Sequence, residues 1–309
     1  MPQPLRPPGS APSWSVGDTV IHRIDEVILP PETGPWLLPG ATADVVQRTN
    51  WLAPDFADEA GTLHLAVHSF AVETAGLRVL IDTGIGNGKI RPNPAWHNLH
   101  TPYLERLAGV GFAPESVDLV ILTHLHTDHV GWNTRPDGHG GWTPTFPHAR
   151  YITSRVESDY WDGADIDDSR RRMLADSVQP VRDSGQLDLI DVRAEGTDIA
   201  AGLRLVPTPG HTPGQVAVAV HSAGRSAVVT GDCIHHPVQL ADPALCSSVD
   251  VDPDRAARTR RDLLADLADT DTLLLGSHFA PPTAGLVRTH GDTYRLIPVP
   301  GRVIHPPQR

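Results

Sequence analysis

The chain has 309 residues, 39% apolar and 20% charged, with a formal net charge of −12. That excess of acid argues against a nucleic-acid partner, which calls for a basic stripe on one face. No apolar run approaches the roughly 20 residues that cross a bilayer, and two cysteines, Cys233 and Cys246, cannot build a disulfide framework, so a cytoplasmic globular protein without a membrane partner is expected.

Residues 1–16, rich in proline and polar residues, lack the apolar core of a secretory leader and are expected to form a flexible tail. The remainder, 17–309, is expected to be a single domain. Thr19 to Ile24 alternates like a strand, whereas residues 29–60, rich in Pro, Gly and Trp with weak periodicity, suggest an arm or lid. His64 to Val72 alternates again, and Arg78-Val79-Leu80-Ile81 is a buried run ending at Asp82-Thr83-Gly84. Thr101-Pro102 opens a helix, with a hydroxyl cap and proline at the first position, and turns Leu104 and Leu107 inward.

The run Leu119-Val120-Ile121-Leu122 reads as a buried strand that exits into Thr123-His124-Leu125-His126-Thr127-Asp128-His129. Imidazole and carboxylate are ligands for borderline divalent ions. In an extended loop His124 and His126 project to one side and can grip one ion, while Asp128 and His129 reach a second. Residues 131–147 read as a Gly/Trp/Pro-rich loop, and Val156 to Leu174 as one or two helices.

The second half repeats the pattern. Leu203 to Val206 runs into Thr208-Pro209-Gly210-His211, and Gln215 to Val220 alternates with Val216, Val218 and Val220 on one face. Ala227 to Thr230 leads to Gly231-Asp232, and Leu273 to Leu275 leads to Gly276-Ser277-His278. Between them Asp252-Pro253 caps a helix through Leu267. On it Arg255, Arg258, Arg260 and Arg261 alternate with Asp254, Asp262 and Asp266, as on a solvated face. Strand ends on one sheet edge converge, so His124, His126, Asp128, His129, His211, Asp232 and His278 can meet at one site. That is enough for two zinc ions with open positions for water.

These motifs, in this order and with intervals of 82, 21 and 46 residues between His129, His211, Asp232 and His278, resemble the metallo-β-lactamase fold superfamily, in its binuclear hydrolase branch. The resemblance spans roughly residues 64–295. It implies a four-layer αββα sandwich of the α/β class with two Zn²⁺ at the sheet edge. It assigns His124, His126 and His211 to the first ion and Asp128, His129 and His278 to the second. Asp232 would bridge both, with Asp82 orienting the histidine loop. Members that hydrolyse β-lactams lack this bridging carboxylate, which disfavours a β-lactamase; Cys233 is one position out of phase and reads as a small buried residue. Glu157 to Trp161 and the stretch from His235 to Arg260 resemble the methyl parathion hydrolase and lactonase-like group, and a homodimer is expected by that resemblance alone.

The implied chemistry is attack on a carbonyl or phosphoryl centre of a small, apolar lactone, ester or phosphotriester, by a hydroxide bridging the two metals. Asp128 and Asp232 are the catalytic carboxylates. His235 stands where similar lactonases carry a tyrosine and can donate to the oxyanion. Trp132 and Phe279 directly follow metal motifs, and Trp96 precedes a helix, so these three aromatics are the expected substrate contacts. Two rival readings are a mononuclear iron, persulfide-oxidising enzyme, which does not use a distal histidine such as His278, and a binding protein that keeps the fold without turnover.

Overall fold

In the computed structural model, which describes residues 11–304, the alternating segments pair into two large sheets. The first has eight strands, in the order Arg302–Ile304, Ala11–Val16, Thr19–Ile28, Ala66–Thr74, Leu77–Ile81, Leu119–Ile121, Arg150–Ser154 and Leu187–Ile190. The second has seven: Thr197–Ala200, Leu203–Pro207, Val216–Ser222, Arg225–Val229, Leu273–Leu275, Ala284–His290 and Thr293–Pro298.

A strand sends successive side chains to opposite faces, which sorts its residues into layers. Val216, Val218 and Val220 point between the sheets, where they meet Phe70, Val79 and Ile121. Ala217 falls on the outer side with Leu264 and Leu267 of the helix Pro253–Leu267. Beyond the first sheet, Leu80 and Val120 pack with Leu107 of the helix Tyr103–Gly109, Trp161 of the helix Arg155–Gly163, and Met173 of the helix Asp168–Ser177. The layers run helix, sheet, sheet, helix, the expected αββα sandwich.

Parallel pairing places the chemistry. Leu119–Ile121 lies parallel to Leu77–Ile81 and to Arg150–Ser154, so the three exits, toward Asp82, His124 and Glu157, open on one edge. Arg225–Val229 and Leu273–Leu275 are also parallel, which brings the exits toward Asp232 and His278 side by side. Strands buried on both faces read as continuous apolar runs, as Leu119–Ile121 and Leu273–Leu275 do. Helix starts are fixed locally: the Asp167 carboxylate accepts from Arg170 N at 2.7 Å and that of Asp252 from Arg255 N at 2.9 Å.

Four expectations need correction. The tail was expected to reach residue 16, but Ala11–Val16 is a strand paired with Thr19–Ile28 and Arg302–Ile304. Its Trp14 is buried and donates Nε1–H to Val299 O at 2.7 Å; residues 1–10 lie outside the described residues. Thr101 does not cap the next helix; its N–H binds Asn87 Oδ1 at 2.8 Å, and Pro102 holds the cap position without a side-chain bond. Within 131–147 a short hairpin forms, Thr134–Pro136 against Trp142–Pro144, because Asp137 Oδ1 gathers the N–H groups of His139 and Gly141 into a tight turn. Arg260 is not on a solvated face: it is fully buried and donates to the carbonyls of Cys233, Pro243 and Leu245, which pins the chain just after Asp232.

Glu26, wholly buried, accepts from Ile85 N at 2.6 Å, Gly86 N at 3.0 Å and Trp132 Nε1 at 2.7 Å. It thereby ties the loop after Leu77–Ile81 to the turn Gly131–Asn133. Burial raises its carboxyl to about 7 against these three donors. Because the folded value exceeds the unfolded one, the stabilisation is complete below the unfolded pKa and is lost as pH climbs through about 7. Urea denaturation should therefore show wild type losing roughly 3 kcal/mol between pH 4.5 and 7.5 relative to Glu26→Gln. Parallel pH curves for the two proteins would contradict this.

Candidate metal centre

The histidine loop is held by carboxylates that are not themselves ligand candidates. Asp82 takes the turn after its strand at φ 57°, a left-handed conformation that aspartate tolerates better than most residues. Its Oδ1 accepts from Thr123 N at 2.8 Å, and its Oδ2 accepts from Thr123 Oγ1 at 2.9 Å and faces His129 Nδ1 at 2.8 Å. Glu157, also buried, accepts from Leu125 N at 3.0 Å and Trp161 Nε1 at 2.7 Å with one oxygen. The other accepts from Thr212 Oγ1 at 2.6 Å and Gly214 N at 3.2 Å. One carboxylate thus clamps the His124/His126 loop to the His211 turn. Gly214 is required there, since a Cβ would lie 2.0 Å from Glu157 N.

Four of the five rings are fixed through the nitrogen that faces away from the centre. His129 Nδ1 bonds Asp82, His211 Nδ1 bonds Asp250 Oδ1 at 2.9 Å, and His278 Nδ1 bonds Ala66 O at 3.0 Å. His124 Nδ1 lies 3.1 Å from Thr123 Oγ1. In these four rings Nε2 is the nitrogen left to turn inward, the usual arrangement for an imidazole ligand. His126 presents Nδ1 instead, 2.9 Å from His211 Nε2.

All seven predicted ligand residues come together. His124, His126, His211 and Asp232 offer ligand atoms within 4.8 Å of one another, and so do Asp128, His129 and His278. Asp232 joins the groups: Oδ2 is 3.4 Å from His211 Nε2, and Oδ1 is 3.3 Å from His129 Nε2 and 3.2 Å from His278 Nε2. His124 Nε2 and Asp232 Oδ1 are buried without a hydrogen-bond partner, a costly state that a cation relieves. Nitrogens bound about 2.1 Å from one tetrahedral zinc are about 3.4 Å apart, close to the ring spacings here. The residues fit a pair of divalent cations.

The charges agree with that fit. Burial pushes His124 and His126 well below the ordinary imidazole range, so they are neutral and able to coordinate. Burial opposes the charge on His129 too, but Asp232, Asp82 and Asp128 raise it well above that range. His278 is raised the same way, with Asp232 and Asp128 outweighing burial. Asp232 is held well below the ordinary carboxylate range: burial works against its charge, but His129, His278, His235 and His124 surround it.

The centre floors a cavity of about 110 Å³ whose polar lining includes His126, Asp128, Arg170, Asp232, His235 and His278. Leu29, Trp36, Leu37, Trp96 and Val249 form its apolar walls. Segment 29–60 therefore supplies one wall while burying Leu38, Leu52 and Phe56 in the core. His235 lies 3.3 Å from Asp232 Oδ2, whereas His236 turns away to bond Phe56 O at 2.8 Å. A larger cleft of about 300 Å³ opens near Trp14 and Arg225, at the other end of the strand that leads to Asp232, away from the ligand residues.

Of the three expected aromatic contacts, Trp96 lines the cavity and two do not. Trp132 is buried, stacked on Tyr103 with centroids 5.4 Å apart and bonded to Glu26. Phe279 is wholly buried, edge-on to Phe56 at 6.1 Å. Phe279, directly after His278, and Trp132, three positions after His129, both turn into the core instead. Sequence reading also missed Glu26, Asp250 and Arg170 as parts of the site or its support. Glu157 appeared there only as a point of resemblance, although Ser154 and Glu157 have capping-box spacing.

A helix-flanked double sheet with two histidine–aspartate groups on a shared edge defines a class of metal-site sandwich. The family model for the metallo-beta-lactamase superfamily matches residues 63–278, and the chain belongs to that superfamily. A protein of Mycobacterium tuberculosis named a probable metallo-hydrolase is 28% identical over 187 residues, 56% of this chain and 58% of that protein. The chain thus matches little more than half the length of that relative. The N-acyl homoserine lactonase AttM of Agrobacterium fabrum is 30% identical over 116 residues, 36% of this chain and 38% of its own. Among solved structures, the dizinc quorum-quenching lactonase AidC aligns at TM-score 0.76 and 21% identity, covering 94% of this chain and 98% of its own. The hydrolase AbOPH aligns at 0.75 and 23%, covering 95% and 99%; at such identities the likeness speaks to the fold.

Because Asp250 fixes the His211 ring from behind, Asp250→Ala should weaken divalent-metal uptake about 10- to 100-fold while far-UV circular dichroism stays unchanged. Calorimetric titration with Zn²⁺ measures this, and an unaltered isotherm would remove Asp250 from the site.

Proposed function

We propose that this chain is a binuclear metal-dependent hydrolase acting on a lactone, ester or phosphotriester bond of a small, largely apolar substrate. The observation that carries this reading is the convergence of two ligand groups, His124/His126/His211/Asp232 and Asp128/His129/His278, on the floor of one cavity. Two zinc ions held there supply, when bound, a water acidified to near neutrality and a positive field for a carbonyl or phosphoryl oxygen. A second complete group, including the distal His278, favours two ions over a single iron.

The chain's residues do the rest. Asp232, between the two groups, holds them at a fixed separation. Asp128 has a side chain 14% exposed, against 5% for Asp232, and lines the cavity, so it can take a proton from attacking water and return it to the leaving group. Burial lowers the His235 pKa, leaving a neutral ring that can donate one N–H to an oxygen gaining charge. Trp96 and its apolar neighbours exclude water and receive an apolar substituent. The lactonase names among relatives and structural neighbours support a lactone within this range, and Zn²⁺ as the metal.

A zinc-loaded preparation should turn over at least one of an aryl ester, an acyl lactone and an aryl phosphotriester, and kcat/KM ranks which transition state the site favours. Asp232→Ala should cut kcat about a hundredfold or more with the sandwich still folded by circular dichroism. Undiminished turnover in that variant would overturn the reading.

A further inference from the structure

Arg170 differs from most long cations of this protein. Arg91 is bidentate to Asp176, while Arg182 grips Asp162 and Arg204 grips Asp198. Arg170 lines the cavity beside Asp128, and none of its guanidinium nitrogens is hydrogen-bonded to an acceptor among the described residues; Nη1 is also shielded from solvent. The two carboxylates nearest in sequence are engaged elsewhere: Asp168 pairs with Arg171, and Asp167 caps Arg170's own backbone N–H at 2.7 Å.

The guanidinium is held by stacking. Its central carbon sits 4.4 Å from the Trp161 ring centroid. Trp161 is fixed in turn by Glu157, and its ring lies 5.6 Å from that of His126. A planar fork resting on an aromatic face keeps its N–H edge free and its orientation set. Asp128, Asp167 and Glu157 already attract the charge. What is unmet is a hydrogen-bond direction.

We propose that Arg170 reads the substrate: it donates to a second, non-reacting carbonyl oxygen, so the preferred substrates carry an amide or ester carbonyl beside the scissile bond. The inference rests on the hydrolase reading only in taking this cavity as the substrate's. A neutral acceptor suits the site better than a further carboxylate, because Asp128, Asp167 and Glu157 already attract the guanidinium and the remaining walls, Leu29, Trp36, Leu37, Trp96 and Val249, are apolar.

The test uses two acids of equal chain length that differ in one amide, N-acetylglycine and pentanoate, and their p-nitrophenyl esters. Calorimetry on zinc-loaded protein should find N-acetylglycine binding about tenfold tighter than pentanoate, as a charge-assisted hydrogen bond implies. Arg170→Met should abolish that ratio, and Arg170→Lys, which keeps the charge but not the stacked fork, should restore it only in part. Equal binding of the two acids by wild type, or a ratio that survives Arg170→Met, overturns the assignment whether or not the esters are hydrolysed. A binding preference without hydrolysis of either ester supports Arg170 and counts against the hydrolase reading instead.

Discussion

An imidazole presents a lone pair to a cation in a fixed direction only when its other nitrogen is tied down, and this site is organised around that constraint. Asp82, Asp250, Thr123 and the Ala66 carbonyl tie four rings from outside. Asp82 does so while also holding the Thr123 backbone, so the loop that carries three histidines and the ring of one of them share an anchor. Remove the anchors and the same residues become a set of mobile side chains with little power to choose a geometry.

The anchors in turn depend on the sandwich. Asp82, Thr123 and Glu157 follow the exits of three adjacent parallel strands, and parallel register puts such exits on one edge without further instruction. Glu157 then spans from the first sheet's loop to the His211 turn of the second. The distance between the two ligand-bearing halves is therefore set by a buried carboxylate with four donors. Losing such a group would strand those donors in a dry interior.

The strands and the convergence of the candidate ligands were legible because strand periodicity and ligand chemistry are local signals, while the αββα order came with the resemblance those motifs carry. Val216, Val218 and Val220 announce their face by spacing alone, and His124 to His129 announce theirs by composition. The cavity walls were not legible. Trp132 and Phe279 lie close to ligand candidates in sequence, but Trp132 sits in the turn Gly131–Asn133 and stacks on Tyr103 while Phe279 packs edge-on to Phe56, and both became core. Trp36 and Leu37 reach the cavity from a segment with weak periodicity, and Arg170 reaches it from a separate helix, stacked on Trp161 nine positions earlier. Glu26 and Asp250 bind backbone and ring atoms far from them in sequence, which no short-range pattern encodes. Residues 11–16 were assigned to a tail because the prolines before them dominated the composition, although Trp14 and Val16 had the spacing of a strand.

The electrostatics explain why such a cluster is kept. Asp82, Asp128 and Asp232 place three carboxylates among five imidazoles in a water-poor space, and without cations protons on His129 and His278, both raised, offset only part of that charge. His124 and His126 stay neutral beside them because burial outweighs Asp232 at those rings. The fold thus stores unmet negative charge at one edge and keeps lone pairs ready at the other positions. A divalent cation replaces the protons and uses the free lone pairs together, so metal uptake must release protons. Stability of the loops and capacity for metal become the same property: the carboxylates that lock the rings are also those that make a site without cations electrostatically incomplete.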